Sequence, residues 1–163
     1  MAAHAAKVYA FEPDPWTAAE LRTRVADLPN VEVIEAAAGT EDGTVPLYRT
    51  ASFDADPVEQ SQSSSLMAQK RNIDTSSAVD VRVIDFPAFL QGLDAEIAVI
   101  KMDIEGAEVP LLEALFDHPV NKRIGHLFVE THESRIPDLL ARTDALRDRA
   151  AQMTQPRVNM DWK

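Results

Sequence analysis

Cysteine is absent from this 163-residue chain, which excludes disulfides, thiolate metal sites and a cysteine nucleophile. Its absence assigns no compartment; it is compatible with the cytoplasm, the expected location. Glycine is scarce, five residues in all and none before Gly39, so the opening carries no glycine-rich phosphate loop. Positive charge is also in short supply, with 16 Lys and Arg against 27 Asp and Glu and a formal net charge of −11. That balance argues against a nucleic-acid backbone as partner, which calls for clustered cations, and against docking on an anionic membrane. No apolar run approaches the roughly 20 residues of a membrane span. The alanine-rich residues 1–6 are too short and too weakly apolar for a signal peptide. No internal repeat is visible. With 45% hydrophobic residues the chain can fill one core but hardly two, so residues 1–163 are expected to form a single soluble domain.

What the chain does have is negative charge gathered where a strand becomes a helix. Residues 97–102 form an apolar run of strand length, followed by Asp103, Glu105 and Glu108 around Gly106. Apolar spacing at helical intervals resumes over 109–116, with Pro110 tolerated in the first turn. Open α/β sheets bind ligands outside the carboxyl ends of their strands, where these acids fall. Glu108 is assigned to the helix start, where a carboxylate facing the dipole contributes roughly 0.3–1 kcal/mol. Asp103 shares a strand face with Lys101 and is expected to face the crevice. Asp103→Asn should therefore harm turnover more than Glu108→Gln.

The same grammar occurs earlier. Residues 7–11 are strand-like, Glu12-Pro13-Asp14-Pro15 stops them, and Asp14 with Pro15 suits the start of a helix over 15–28. Trp16, Leu21, Val25 and Leu28 give that helix an apolar face, and 31–35 form the next strand. A carboxylate just past such a strand can accept both hydroxyls of a ribose; a solvated loop acid is the alternative for Glu12. Strands are also expected over 45–48, as part of a hairpin, and over 79–84, after which Asp85 caps a helix over 87–91. The polar stretch 50–77, rich in Ser, Gln and Asp, reads as a flexible surface loop or a substrate-side lid.

Near the end, 126–130 form a strand whose period places Glu130 and His132 on one side. A helix over 135–151, opened by Ser134, carries Ile136, Leu139, Leu140 and Leu146 on its apolar face. A histidine beside a carboxylate at a strand end suits general-base work, because the acid fixes its tautomer and raises its basicity. A hydrogen-bonded loop histidine is the alternative. Magnesium or calcium would suit such an oxygen-rich site too, but no metal-ligand set is assigned. His4 and His118 are given no chemistry.

These segments resemble, in order, those of FkbM-family methyltransferases. The resemblance rests on Val8-Tyr9-Ala10-Phe11-Glu12-Pro13, Ala36-Ala37-Ala38-Gly39, Ser63-Ser64-Ser65-Leu66 and Ile100-Lys101-Met102-Asp103-Ile104-Glu105-Gly106-Ala107-Glu108. The late Phe128-Val129-Glu130-Thr131-His132-Glu133 and Asn159-Met160-Asp161-Trp162 look like its bacterial members. It implies a Rossmann-like class I methyltransferase fold, a mostly parallel α/β sheet with helices on both faces. The family's first strand and its Asp-x-Gly-Ala-Asn-x-Gly loop are not seen ahead of residue 7, so the chain reads as N-terminally truncated. It is expected to hold the cofactor weakly or not at all, and a version extended upstream is expected to hold it. In this fold the first strand lies between the strands matching 7–11 and 97–102. Those two are therefore expected to pair directly, or to have the gap filled by residues 1–6 or by a second chain in a homo-oligomer.

The resemblance further implies S-adenosylmethionine as cofactor and methyl transfer to the hydroxyl of a small molecule, sugar or lipid. Glu12 would hold the ribose, Ala37 and Ala38 would border the adenine, and Asp103 would lie near the amino-acid end or the transferring methyl. Glu105, Glu130 and His132 are the acceptor-side candidates. A non-catalytic binding module of the same fold is the alternative. A nicotinamide-dependent dehydrogenase fits the 101–108 cluster poorly.

Overall fold

The structure, a computed structural model, describes residues 2–50, 52–53, 64–66 and 78–162. Most of the expected 50–77 loop lies outside the described residues. A short 3-10 turn (Ala2–His4) leads into β1 (Val8–Phe11) and α1 (Pro15–Arg24). As expected, Asp14 opens α1: its Oδ1 accepts the backbone N–H groups of Trp16 at 2.9 Å and Thr17 at 3.2 Å. The helix stops four residues earlier than its apolar spacing suggests. Only Ala18 along it is fully buried, so little tertiary packing rewards further turns, and Pro29 disfavours a helical residue before it.

Strand β2 (Val31–Ile34) runs parallel to β1, with Val8 opposite Val31 and Phe11 opposite Ile34. A second sheet has β5 (Ala78–Asp85) at its centre, flanked by β3 (Ala37–Gly39) in parallel and β4 (Gly43–Tyr48) antiparallel. The partner of the expected hairpin strand is thus β5. Asp85 ends β5 and caps α2 (Phe86–Gly92) by accepting the Ala88 N–H at 2.9 Å. The third sheet is wholly parallel, in the order β6 (Ile97–Met102), β7 (Ile124–Val129), β8 (Arg157–Asn159). Helix α3 (Glu108–Asp117) connects β6 to β7, and α4 (Leu140–Gln152) connects β7 to β8.

The core lies between α3 and this third sheet. Leu111, Leu112 and Leu115 of α3 and Leu127 and Val129 of β7 are buried together with Ile136 and Leu146. Phe11 at the end of β1 joins that cluster, packing edge-on against Phe86 and Phe89 of α2. The ends of β1 and β6 are thereby tied to one apolar nucleus although the strands belong to different sheets.

Two of the three ways of filling the gap between these strands, and one helix boundary, are corrected. Among the described residues β1 pairs only with β2 and β6 only with β7, so the strands over 7–11 and 97–102 do not pair directly. Nor do residues 2–6 add a strand between them: Ala2–His4 form a 3-10 turn, and Asn30 Nδ2 donates to the Ala5 carbonyl at 2.8 Å. The late helix begins at Leu140, not Arg135, because Pro137 drives Ile136 to an extended conformation (φ −133°, ψ 80°) and only a 3-10 turn (Pro137–Leu139) follows.

Candidate active site

The junction after β6 is built on two unusual backbone conformations. Glu105 has φ 55° and Gly106 has φ 110°. A left-handed non-glycine residue costs about 1–3 kcal/mol and persists where its surroundings over-determine it; the second angle is one that glycine adopts freely. The N–H of Ala107 closes the turn on the Ile104 carbonyl at 3.2 Å, and Ser65 Oγ donates to the Glu105 carbonyl at 2.6 Å. Ser65 therefore reaches the acidic junction.

This turn points Glu108 inward. It stands at the first position of α3 as expected, yet it is fully buried. Its Oε2 accepts the Gly106 N–H at 2.8 Å; its Oε1 accepts the His132 N–H at 3.0 Å and faces His132 Nδ1 at 3.1 Å. A carboxylate has no proton to give, so Nδ1 carries the ring proton and Nε2 is turned the other way. There it meets Glu105 Oε2 at 3.3 Å and Asp103 Oδ1 at 3.7 Å. Glu108 is the residue that the sequence reading missed as part of the site. Its signal was Gly106 two positions earlier, which permits the turn.

His132 is buried, and burial alone would lower its affinity for a proton. Glu108, Glu105 and Asp103 outweigh that and hold the imidazole above its ordinary range. Asp103 is open to solvent on one side. Its carboxyl is raised above the usual range, chiefly by partial desolvation and then by the charge of Glu130, with His132 opposing. Glu105 is additionally held by Arg135 at 3.2 Å.

Glu130 follows β7 and its N–H bonds to the Met102 carbonyl at 2.9 Å, which sets it beside the end of β6. It lines a cleft of about 610 Å³ together with His132, Arg135 and Trp162. Trp162 is covered by Lys101, whose Nζ lies 4.1 Å from the ring centre. Thr131 Oγ1 accepts from Arg147, which also pairs with Glu133, and all three line the same cleft. The structure thus gathers four sequence candidates, Asp103, Glu105, Glu130 and His132, at one strand-end face.

Glu12 sits at the end of β1, as expected. Its Oε1 accepts the Asp14 N–H at 2.9 Å. Burial pushes its carboxyl from 4.5 up to about 7, against the lowering effect of that hydrogen bond. Ala37 and Ala38 lie in β3, where Ala37 is buried and Ala38 is half-buried against the central apolar cluster. Asp14, two residues beyond Glu12, is tied to Arg49 at 2.7 Å.

An α/β chain with carboxylates collected beyond parallel strand ends, one of them fixing a histidine, has the layout of a ligand-binding catalytic domain. The family model for the methyltransferase FkbM domain matches residues 2–151, and the chain belongs to that family. Neither the curated proteins nor the solved structures contain a match to it.

Proposed function

We propose that the chain transfers a methyl group from S-adenosylmethionine to a hydroxyl oxygen of a small-molecule, sugar or lipid acceptor, on a Rossmann-like class I methyltransferase framework. Family membership supports methyl transfer as the reaction class. The choice of oxygen as acceptor is carried by the Glu108–His132 pair and the carboxylates around it. A hydroxyl must lose its proton as it attacks, and a cluster built to attract positive charge assists that loss.

The residues present fit the donor. Glu12 is a desolvated carboxylate that receives one backbone N–H among the described residues. A carboxylate can accept about four hydrogen bonds, so the two hydroxyls of a ribose would supply the donors it lacks. Ala38 would border the adenine, with Ala37 forming the wall behind it. S-adenosylmethionine, when bound, supplies a methyl group already activated on a sulfonium. The protein's share is then alignment and proton removal. Asp103 would stand where donor and acceptor meet. Glu105, Glu130 and His132 would face the acceptor, held in the cleft beneath Trp162.

The test is release of S-adenosylhomocysteine from the chain supplied with pooled sugar, lipid and polyketide alcohols. We expect release that depends on one of the pools and falls at least about tenfold in Asp103→Asn, the size of effect usual for a proton-handling group. Release unchanged by Asp103→Asn, or no pool raising it above the acceptor-free rate, would contradict the reading.

A further inference from the structure

We propose that Asp103, Glu105 and His132 form a binding site for a divalent cation, with Glu108 as the residue that positions the histidine. Such a site adds an ion to the acid–base roles given to these residues above. It deepens the proposed function, and rests on it only in the role given to the ion.

One ligand atom from each of the three side chains lies within 4.8 Å of the other two. The Nε2 distances of 3.3 Å to Glu105 and 3.7 Å to Asp103 exceed the roughly 2.7–2.9 Å of a charge-assisted hydrogen bond. The shorter is close to the edge between neighbouring ligands of an ion held at about 2.0–2.2 Å by nitrogen and carboxylate oxygen, and a small inward rotation of the exposed Asp103 carboxylate would shorten the longer one. His132 is only 4% exposed, yet Nε2 is directed into this space. Its other nitrogen is held by a fully buried carboxylate. A metal-bound histidine is commonly held this way, its second nitrogen donating to a carboxylate that fixes the ring.

Charge supports the same assignment. Asp103, Glu105, Glu108 and Glu130 converge around the histidine, with Arg135 paired to Glu105 and Lys101 acting on Asp103. A mixed nitrogen and carboxylate set suits Mn2+ better than the all-oxygen preference of Mg2+. Because Asp103 is 43% exposed, the outer side of the site is open to solvent, next to the cleft that His132 lines. An acceptor hydroxyl could complete the coordination there and lose its proton more readily.

The test is titration of the chain with Mn2+, following the electron paramagnetic resonance signal of the free ion. We expect one saturable site, weakened at least about tenfold by Asp103→Asn or Glu105→Gln and about 10- to 100-fold by Glu108→Gln. Glu113→Gln, in a distant exposed pair with Arg142, should leave it unchanged. Circular dichroism of each variant confirms the fold; Asp103 is exposed enough for its variant to decide the matter if Glu108→Gln does not fold. Absence of a saturable site up to millimolar Mn2+, or equal binding by Asp103→Asn, would overturn the proposal. S-adenosylmethionine titrated without metal separates the two readings: donor binding without Mn2+ binding sinks only the ion site, and Mn2+ binding without donor binding sinks only methyl transfer.

Discussion

Glu12 and Glu108 show how differently two acids at strand and helix ends can behave. Glu108 is fully buried and accepts from two backbone N–H groups, whereas Glu12 accepts from one and carries an elevated carboxyl near 7. A folded-state value above the unfolded one means that the native state holds more protons between about pH 4.5 and 7. Stability attributable to this group is therefore present below pH 4.5 and is lost as pH rises through 7. The shift corresponds to about 3 kcal/mol. Glu12→Gln keeps the acceptor for Asp14 and removes the charge. We predict that it is more stable than the parent by up to about 3 kcal/mol above pH 7, with the gap closing toward pH 4.5. Urea denaturation of both proteins across that range checks it; a gap that does not change with pH would contradict it. At this scale Asp103, Glu105, Glu130 and His132 were legible as residues at strand ends. The role of Glu108 was not, because a helix-start acid already has a sufficient explanation in the dipole. Its inward turn depends on the backbone at Glu105 and Gly106.

Among the elements, hydrophobic period and capping chemistry located β1, β2, β5, β6 and α3 to within a residue or two. The failures have local causes. The short β3 and β8 carry no alternation long enough to recognise, and Pro137 delays α4 in a way that apolar spacing alone does not register. One element-scale constraint concerns the pairing of β6 with β7. A Cβ placed on Gly125 would stand 2.9 Å from the Ala98 carbonyl oxygen. That oxygen belongs to backbone within a paired strand and has no rotamer through which to retreat. Gly125→Ala should therefore destabilise the chain by about 1–3 kcal/mol, the usual range for forced overpacking. Thermal denaturation measures it, and a melting temperature at or above the parent's would mean that the two strands approach less closely.

At the scale of the whole molecule, the class of fold was legible but the division of its strands was not. An α/β chain with mostly parallel pairing was expected and found, yet among the described residues the pairs form three separate sheets. Sequence pattern marks strands without stating which edges meet, and β1 and β6 look alike in that respect. The outer edges are guarded in a recognisable way: Lys7 precedes β1 and Lys101 lies in β6, and lysine on an edge strand discourages further pairing. What joins the two strands is the apolar cluster of Phe11, Phe86 and Ile100, which sets Glu12 and the Asp103–His132 group at the ends of strands packed on one nucleus. The central claim is that these ends serve a methyl donor. Its most direct measurement is calorimetric titration of S-adenosylmethionine into the parent and into Glu12→Ala. A ribose held by a carboxylate loses hydrogen bonds of about 1.5–3 kcal/mol each when that carboxylate is removed. The account predicts saturable binding by the parent that weakens at least about tenfold in the variant. Equal affinity in the two proteins, or no saturable binding by the parent, would contradict it.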